Sequence, residues 1–200
     1  MKYFLLALTI LLISIYSHGQ QIISGDYGSG LRLSYDSLAN LLTGFYEDHT
    51  GWDEETKTPR FSCTFYIEGL VTGPRFKIKT YYPTDKSDDL VEGTMEIINN
   101  RTFTITLPEE HGGCWNVQHF ADEPVTFALE KQTNWTQIRY IDTDSTCLYK
   151  DKLTGKKSKA CLIKGDLVFI EKFDNNRAYC IYYGKKMTAG WITMRDLNKN

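Results

Sequence analysis

Phe61-Ser62-Cys63-Thr64-Phe65-Tyr66-Ile67-Glu68 is the stretch that decides the fold class. Phe61, Cys63, Phe65 and Ile67 alternate with Ser62, Thr64, Tyr66 and Glu68. That period of two is the mark of a strand with one apolar face turned inward. The same alternation recurs on both sides. Phe76 and Ile78 alternate with Lys77 and Lys79; Phe103, Ile105 and Leu107 alternate with Thr102, Thr104 and Thr106; Val125, Phe127 and Leu129 repeat it, and Leu31, Leu33 and Tyr35 begin the series. Turn signals separate the runs at Gly28-Ser29-Gly30, Gly73-Pro74, Asn99-Asn100 and Gly112-Gly113. Asn99-Asn100 reads as a tight hairpin turn, because Asn tolerates positive φ. Tyr35 to Leu42 is the one stretch with some helical character, and it reads better as a turn and a strand running to Glu47. The expected fold class is all-β: a small antiparallel β-barrel or sandwich over residues 20–134, followed by a second β unit over residues 135–200.

The first 19 residues read as a cleaved signal peptide. Lys2 precedes an apolar run from Tyr3 to Tyr16, and Ser17 and Gly19 are the small residues before a cut at Gln20. The run is shorter than the ~20 apolar residues that a bilayer span requires, and nothing else in the chain approaches it. No membrane span is expected, and with no cysteine just after the run, no lipid anchor. Periplasmic or secreted localisation follows. Residues 20–134 carry 9 basic and 18 acidic side chains and residues 135–200 carry 13 and 7, a change of sign that supports a boundary near residue 135. The net charge of −2 implies no general attraction to nucleic acid. The cysteines are Cys63, Cys114, Cys147, Cys161 and Cys180, none of them in a CxxC pair, which favours disulfides over zinc in an exported chain. Cys63 faces inward on its strand and Cys114 follows a glycine pair, so a bond between them is expected.

From Ile138 onward the pattern changes. Lys164-Gly165-Asp166, Val168, Phe169, Tyr179, Gly190-Trp191-Ile192 and Asp196-Leu197 follow in an order and spacing that resembles a bacterial Src-homology-3-like (SH3-like) domain, over about a third of the mature chain. The resemblance implies a small SH3-like β-barrel and a role in binding cell-wall peptides, binding partner proteins or positioning an attached catalytic domain. Within it, Gly190 is expected to bend the chain so that Trp191 caps the barrel. One departure is the long loop, which here carries Lys150, Lys152, Lys156, Lys157 and Lys159. Cys147 and Cys161 are placed to bridge its base, leaving Cys180 as the odd thiol. Gly25-Asp26-Tyr27, Leu42 to Glu47 and Phe65 to Gly69 are faintly similar to the opening strands of avidin- or lipocalin-type meander barrels, which supports a barrel and implies nothing about biotin.

The search for chemistry yields little. His111-Gly112-Gly113-Cys114-Trp115 resembles the nucleophile segment of papain-like peptidases, but no helix pattern follows the cysteine and the only later histidine is His119. His111, His119, Asp122 and Glu123 match no usual metal spacing, and loop histidines are expected to be solvated. Glu109-Glu110 is expected at the surface. No phosphate-binding glycine loop and no Gly-x-Ser-x-Gly elbow is present. No catalytic residue, metal ligand or cofactor is assigned. The expected function is an exported, non-enzymatic binding protein of the bacterial envelope, recognising a cell-wall glycopeptide or an envelope protein as an inhibitor or immunity-type partner. Its binding candidates are Lys150, Lys152, Lys156, Lys157, Lys159, Tyr179 and Trp191. The alternatives are a cysteine-dependent hydrolase centred on Cys114 and a small-ligand carrier in the first barrel.

Overall fold

A computed structural model describes residues 22–152 and 155–199; the expected signal peptide lies outside the described residues. The chain is all-β, and its strands divide between two antiparallel sheets.

The first sheet comprises β1 (Gly25–Asp26), β2 (Leu31–Asp36), β3 (Leu41–Asp53), β4 (Thr58–Leu70), β5 (Arg75–Tyr81), β6 (Val91–Asn99), β7 (Thr102–Thr106), β8 (Val125–Ala128) and β9 (Lys131–Gln132). From β1 to β8 each strand pairs with its neighbour in sequence, an antiparallel meander. The sheet curls strongly because one segment serves both its ends. β8 pairs with β7, and β9 pairs with β1. Between them Leu129 N–H donates to the Arg101 carbonyl (2.7 Å) and Glu130 N–H to the Asp26 carbonyl (2.9 Å). Residues 125–132 thus cross a seam and occupy backbone groups on both edges, where an open sheet would leave them unpaired.

The alternating residues meet inside the curl as the sequence predicts: Leu31, Leu33, Cys63, Phe65, Ile67, Phe76, Ile78, Phe103, Ile105 and Phe127 are all buried. Tyr46 stacks on Phe65 with ring centroids 5.1 Å apart, and Phe120, from the long connection between β7 and β8, sets its edge against both (5.0 and 5.2 Å). These rings fill the space that a ligand carrier would keep open. Phe61 departs from expectation. It keeps the inward register but is 41% exposed. β3 and β4 overshoot their neighbours, since β2 reaches only Tyr46 and β5 only Tyr66. Beyond that rim the hairpin is a two-stranded arm.

The second sheet comprises β10 (Gln137–Tyr140), β11 (Ser145–Tyr149), β12 (Lys157–Ile163), β13 (Leu167–Asp174), β14 (Arg177–Tyr183) and β15 (Met187–Thr193), in the spatial order β10-β13-β14-β15-β11-β12. A short 3-10 turn at Met194–Asp196 leads to Leu197, which bridges back to Ile141. Leu148, Leu162, Val168, Ile170, Ala178, Cys180 and Ile192 form its core. Two expectations are corrected here. Ile192 fills the interior, while Trp191 points to the opposite, half-exposed face. Gly190 has no left-handed φ; a Cβ there would press on the Tyr149 carbonyl (2.9 Å) and Leu148 (3.0 Å), so glycine allows the close approach of β15 to β11.

The sheets share a third core. Phe45, Tyr66 and Tyr81 on the outside of the first pack against Trp135, Ile138, Tyr140 and Phe169 of the second. Ile138 is held at both ends: its N–H donates to Thr43 Oγ1 (2.8 Å) and its carbonyl accepts from Tyr66 Oη (2.7 Å). Gln137 Nε2 donates to Asp36 Oδ2 at 2.7 Å beside it. Glu68, buried at this junction, accepts from Tyr81 Oη (2.9 Å) and Lys86 Nζ (2.8 Å), so its charge is paired. The acidic and basic halves therefore meet through aromatic rings and shared backbone bonds.

Candidate functional site

Four of the sequence-assigned binding residues, Lys152, Lys157, Tyr179 and Trp191, come together on the second sheet. Register places Lys172 directly opposite Tyr179, Tyr179 opposite Trp191, Trp191 opposite Tyr149, and Tyr149 opposite Lys157. Directly opposed residues project from the same face. The result is one row across five adjacent strands, three rings with a lysine at each end, spanning roughly 19 Å at the usual strand spacing. The rings are half-buried at their edges and the lysines exposed.

Cations cover the rings. Tyr179 meets Trp191 edge to face with centroids 5.4 Å apart. Lys172 Nζ lies 5.1 Å from the Tyr179 centroid and 5.5 Å from that of Trp191, and Lys152 Nζ lies 5.8 Å from Trp191. The Arg177 guanidinium sits 4.5 Å above Tyr149. Each such contact is worth about 0.5–1 kcal/mol at an exposed site. Asp174 is the acid among them and it pairs with Lys152. Arg177 Nη1 is buried and has no hydrogen-bond partner among the described residues. The arrangement is a positively charged aromatic face, able to place N–H donors on anionic groups while the rings pack against whatever lies between them.

Of the other assigned residues, Lys150, Lys156 and Lys159 stand exposed along the β11–β12 hairpin. Lys150 N–H and the Lys156 carbonyl close that hairpin at 2.9 Å. Cys147 and Cys161 are direct cross-strand partners in a disulfide below it. Sequence inspection missed Tyr149, Lys172 and Arg177. Only the pairing of four strands brings them to Trp191, and no local motif encodes that pairing.

Cys114 is bonded to Cys63, so the thiolate that a cysteine hydrolase would need is absent there. The remaining thiol, Cys180, is buried in the second core, and burial pushes it up to about 12. His111 corrects the expectation of a solvated histidine. It is 3% exposed, stacked on Phe65 (4.9 Å), with Nδ1 3.0 Å from Asp89 and Nε2 2.8 Å from Thr80 Oγ1. Glu110, expected at the surface, is half-buried and accepts the Ala121 N–H at 2.7 Å. His111 fastens the β7–β8 connection onto the first sheet, and Glu110 ties that connection to itself.

Two further features lie outside the assigned residues. The arm exposes Trp52 (59%) and Phe61 on the continuation of the core face, with Trp115 (58%) on the connection that braces it. Thr50 Oγ1 joins the two by donating to the Asn116 carbonyl at 2.6 Å. A cleft of about 540 Å³ opens between the sheets beside their shared core. Compared with known proteins, the chain matches no family model, no curated protein and no solved structure.

Proposed function

We propose that this chain is an exported, non-enzymatic binding protein of the bacterial envelope, and that the row Lys172–Tyr179–Trp191–Tyr149–Lys157 is the face with which it takes an anionic cell-wall glycopeptide. The observation that carries the reading is the row itself. A half-buried aromatic strip with cations over its rings is an unusual use of an outer sheet face, which is ordinarily small and polar. The two disulfides suit an oxidising compartment. Among the described residues no helix is long and apolar enough to cross a membrane. The resemblance of residues 164–197 to SH3-like domains supports the same class of ligand.

The test is co-sedimentation of the chain from Gln20 with purified wall sacculi. The wild type is expected to pellet and to be released as salt rises, because exposed charge pairs are screened beyond about 8–10 Å at physiological ionic strength. A K152E/K172E variant is expected to stay in the supernatant. Retention of that variant, or binding indifferent to salt, refutes the assignment.

A second reading has its own support in the arm. Trp52 and Phe61 on the arm and Trp115 on the connection beside it are exposed aromatics of the kind that anchor protein partners, and an inhibitor or immunity-type role would use them. Stoichiometric capture of one envelope protein, lost in W52S/F61S and retained in K152E/K172E, would favour that reading.

A further inference from the structure

We infer that the cleft between the two sheets is a binding site for a short zwitterionic peptide or amino acid, separate from the cationic face. One wall is the outer surface of the first sheet where the second sheet leaves it uncovered. Arg32 stands directly opposite Phe45, and Glu47 directly opposite Thr64. Glu47 is two residues along from Phe45, which makes it the diagonal neighbour of Arg32, about 7 Å away between side-chain bases. The two charges stand side by side without pairing. Among the described residues Arg32 has no ion-pair partner, and Glu47 has only a long contact to His49 (3.8 Å). The hydroxyls of Ser62 and Thr64 lie on the same wall.

The facing wall comes from the second sheet. It supplies Tyr182 and Tyr183 and the Lys164-Gly165-Asp166 turn, which Gly165 makes with a φ of +90°. Asp166 is committed to that turn: its Oδ2 accepts the Ile163 N–H (2.8 Å) and its Oδ1 accepts Tyr182 Oη (3.4 Å).

Charge decides the ligand class. The cleft holds two cations, Arg32 and Lys164, and two acids, Glu47 and Asp166, and is balanced overall. A balanced site gives no net attraction to a polyanion or a polycation, whereas the outer face carries an excess of cations. A ligand with one carboxylate and one ammonium satisfies both members of the Arg32–Glu47 pair at once. The guanidinium fork suits the carboxylate, which it can grip with two parallel N–H donors. The volume lies within the range of small-molecule sites, and junctions between structural units are where such sites are commonly found.

The experiment is calorimetric titration of the chain from Gln20 with trialanine, with N-acetyl-trialanine amide and with chitotriose. Free trialanine is expected to bind with one-site stoichiometry, and the doubly blocked peptide to bind at least about tenfold more weakly. R32Q and E47Q are each expected to lose at least about tenfold in affinity for trialanine at unchanged Tm, while K152E/K172E binds it as the wild type does. The last comparison separates this site from the wall-binding face, so either can fail alone. Equal binding of the free and blocked peptides, a preference for chitotriose, or no saturable binding of trialanine overturns the inference. The blocked-peptide comparison uses the unaltered protein and does not depend on either variant folding.

Discussion

Replacing Tyr66 with Phe tests whether the two sheets are one cooperative unit. The ring is fully buried at the shared core, and its hydroxyl donates to the Ile138 carbonyl at 2.7 Å. Phe keeps the ring and its packing against Tyr81 (5.5 Å) and Tyr140 (5.3 Å), so the change removes only the hydroxyl, with its bond to Ile138 and its contact with the Asn198 side chain. The Ile138 carbonyl is then left buried and unpaired, a loss of about 1–3 kcal/mol. At about 2 kcal/mol, Tm falls by about 4–8 °C for a chain of this size. That is a sizeable part of the 5–15 kcal/mol that such folds possess. The assay is urea unfolding followed both by far-UV circular dichroism, which reports all strands, and by tryptophan fluorescence, which includes Trp135 at the junction. Both probes are expected to move together to lower urea with an unchanged slope. A shift below about 0.5 kcal/mol, the size of an ordinary surface substitution, would refute the role given to this bond. Two transitions separating in the wild type would refute the cooperative unit.

Three other outcomes follow from the same geometry. Removing the Cys63–Cys114 bond as C63A/C114A releases a loop spanning 51 residues and is expected to cost about 4 kcal/mol by loop entropy, against about 3 kcal/mol for C147A/C161A with its span of 14; denaturant titration of the two variants gives the order, and a reversed order contradicts it. Stability is expected to fall with alkali. Burial raises the Cys180 thiol from 9.0 to about 12 and also raises Tyr66 and Tyr81, so the folded chain keeps protons that the unfolded chain releases. The contribution is whole below pH about 9 and is lost as pH rises toward 12. Equal urea midpoints at pH 8 and pH 11 would disprove it. Gly113→Ala is expected to destabilise by more than about 1 kcal/mol, because φ there is +86° and a Cβ would strike the Ser62 carbonyl; Gly112→Ala, with nothing within 4 Å, is expected to be neutral, and matching Tm values for the pair would count against this account.

The strands could be read from the sequence because alternation is a local property. Phe65, Ile67, Phe103 and Phe127 had to face one way whatever the topology. Cys63 and Cys114 could be paired because Cys63 belonged to that inward set and Cys114 followed a glycine pair in a chain whose cysteines favour disulfides. Exposure of the aromatics could not be read in the same way. Tyr46 is buried inside the curl and Tyr66 and Tyr81 beneath the second sheet, whereas Trp52 lies where β3 and β4 run past their neighbours, and Tyr82 and Trp115 sit on connections between strands. The cationic face was half visible. Tyr179, Trp191 and the lysine-rich loop stood out by composition, whereas Lys172, Arg177 and Tyr149 joined them only through pairings between residues up to 42 apart, as Tyr149 with Trp191. The cleft was invisible, because Arg32 and Tyr183 share no local pattern and meet through the docking of two sheets.

The seam at residues 125–132 has a mechanical consequence. The segment that joins the two ends of the first sheet runs, four residues later, into the first strand of the second. Tension applied to the C-terminal sheet passes along that connector and loads β9, whose hold on β1 is two residues long. The same connector carries Thr133, whose N–H donates to the Ser24 carbonyl (2.9 Å), and Trp135, wedged against Phe169 with centroids 4.5 Å apart. Those two contacts bear load before the seam does, and act as a strain relief for the closure of the sheet. A chain tethered to an envelope partner through its C-terminal face and pulled there would part at the junction of its two sheets first, and would peel open the curled sheet only at higher force.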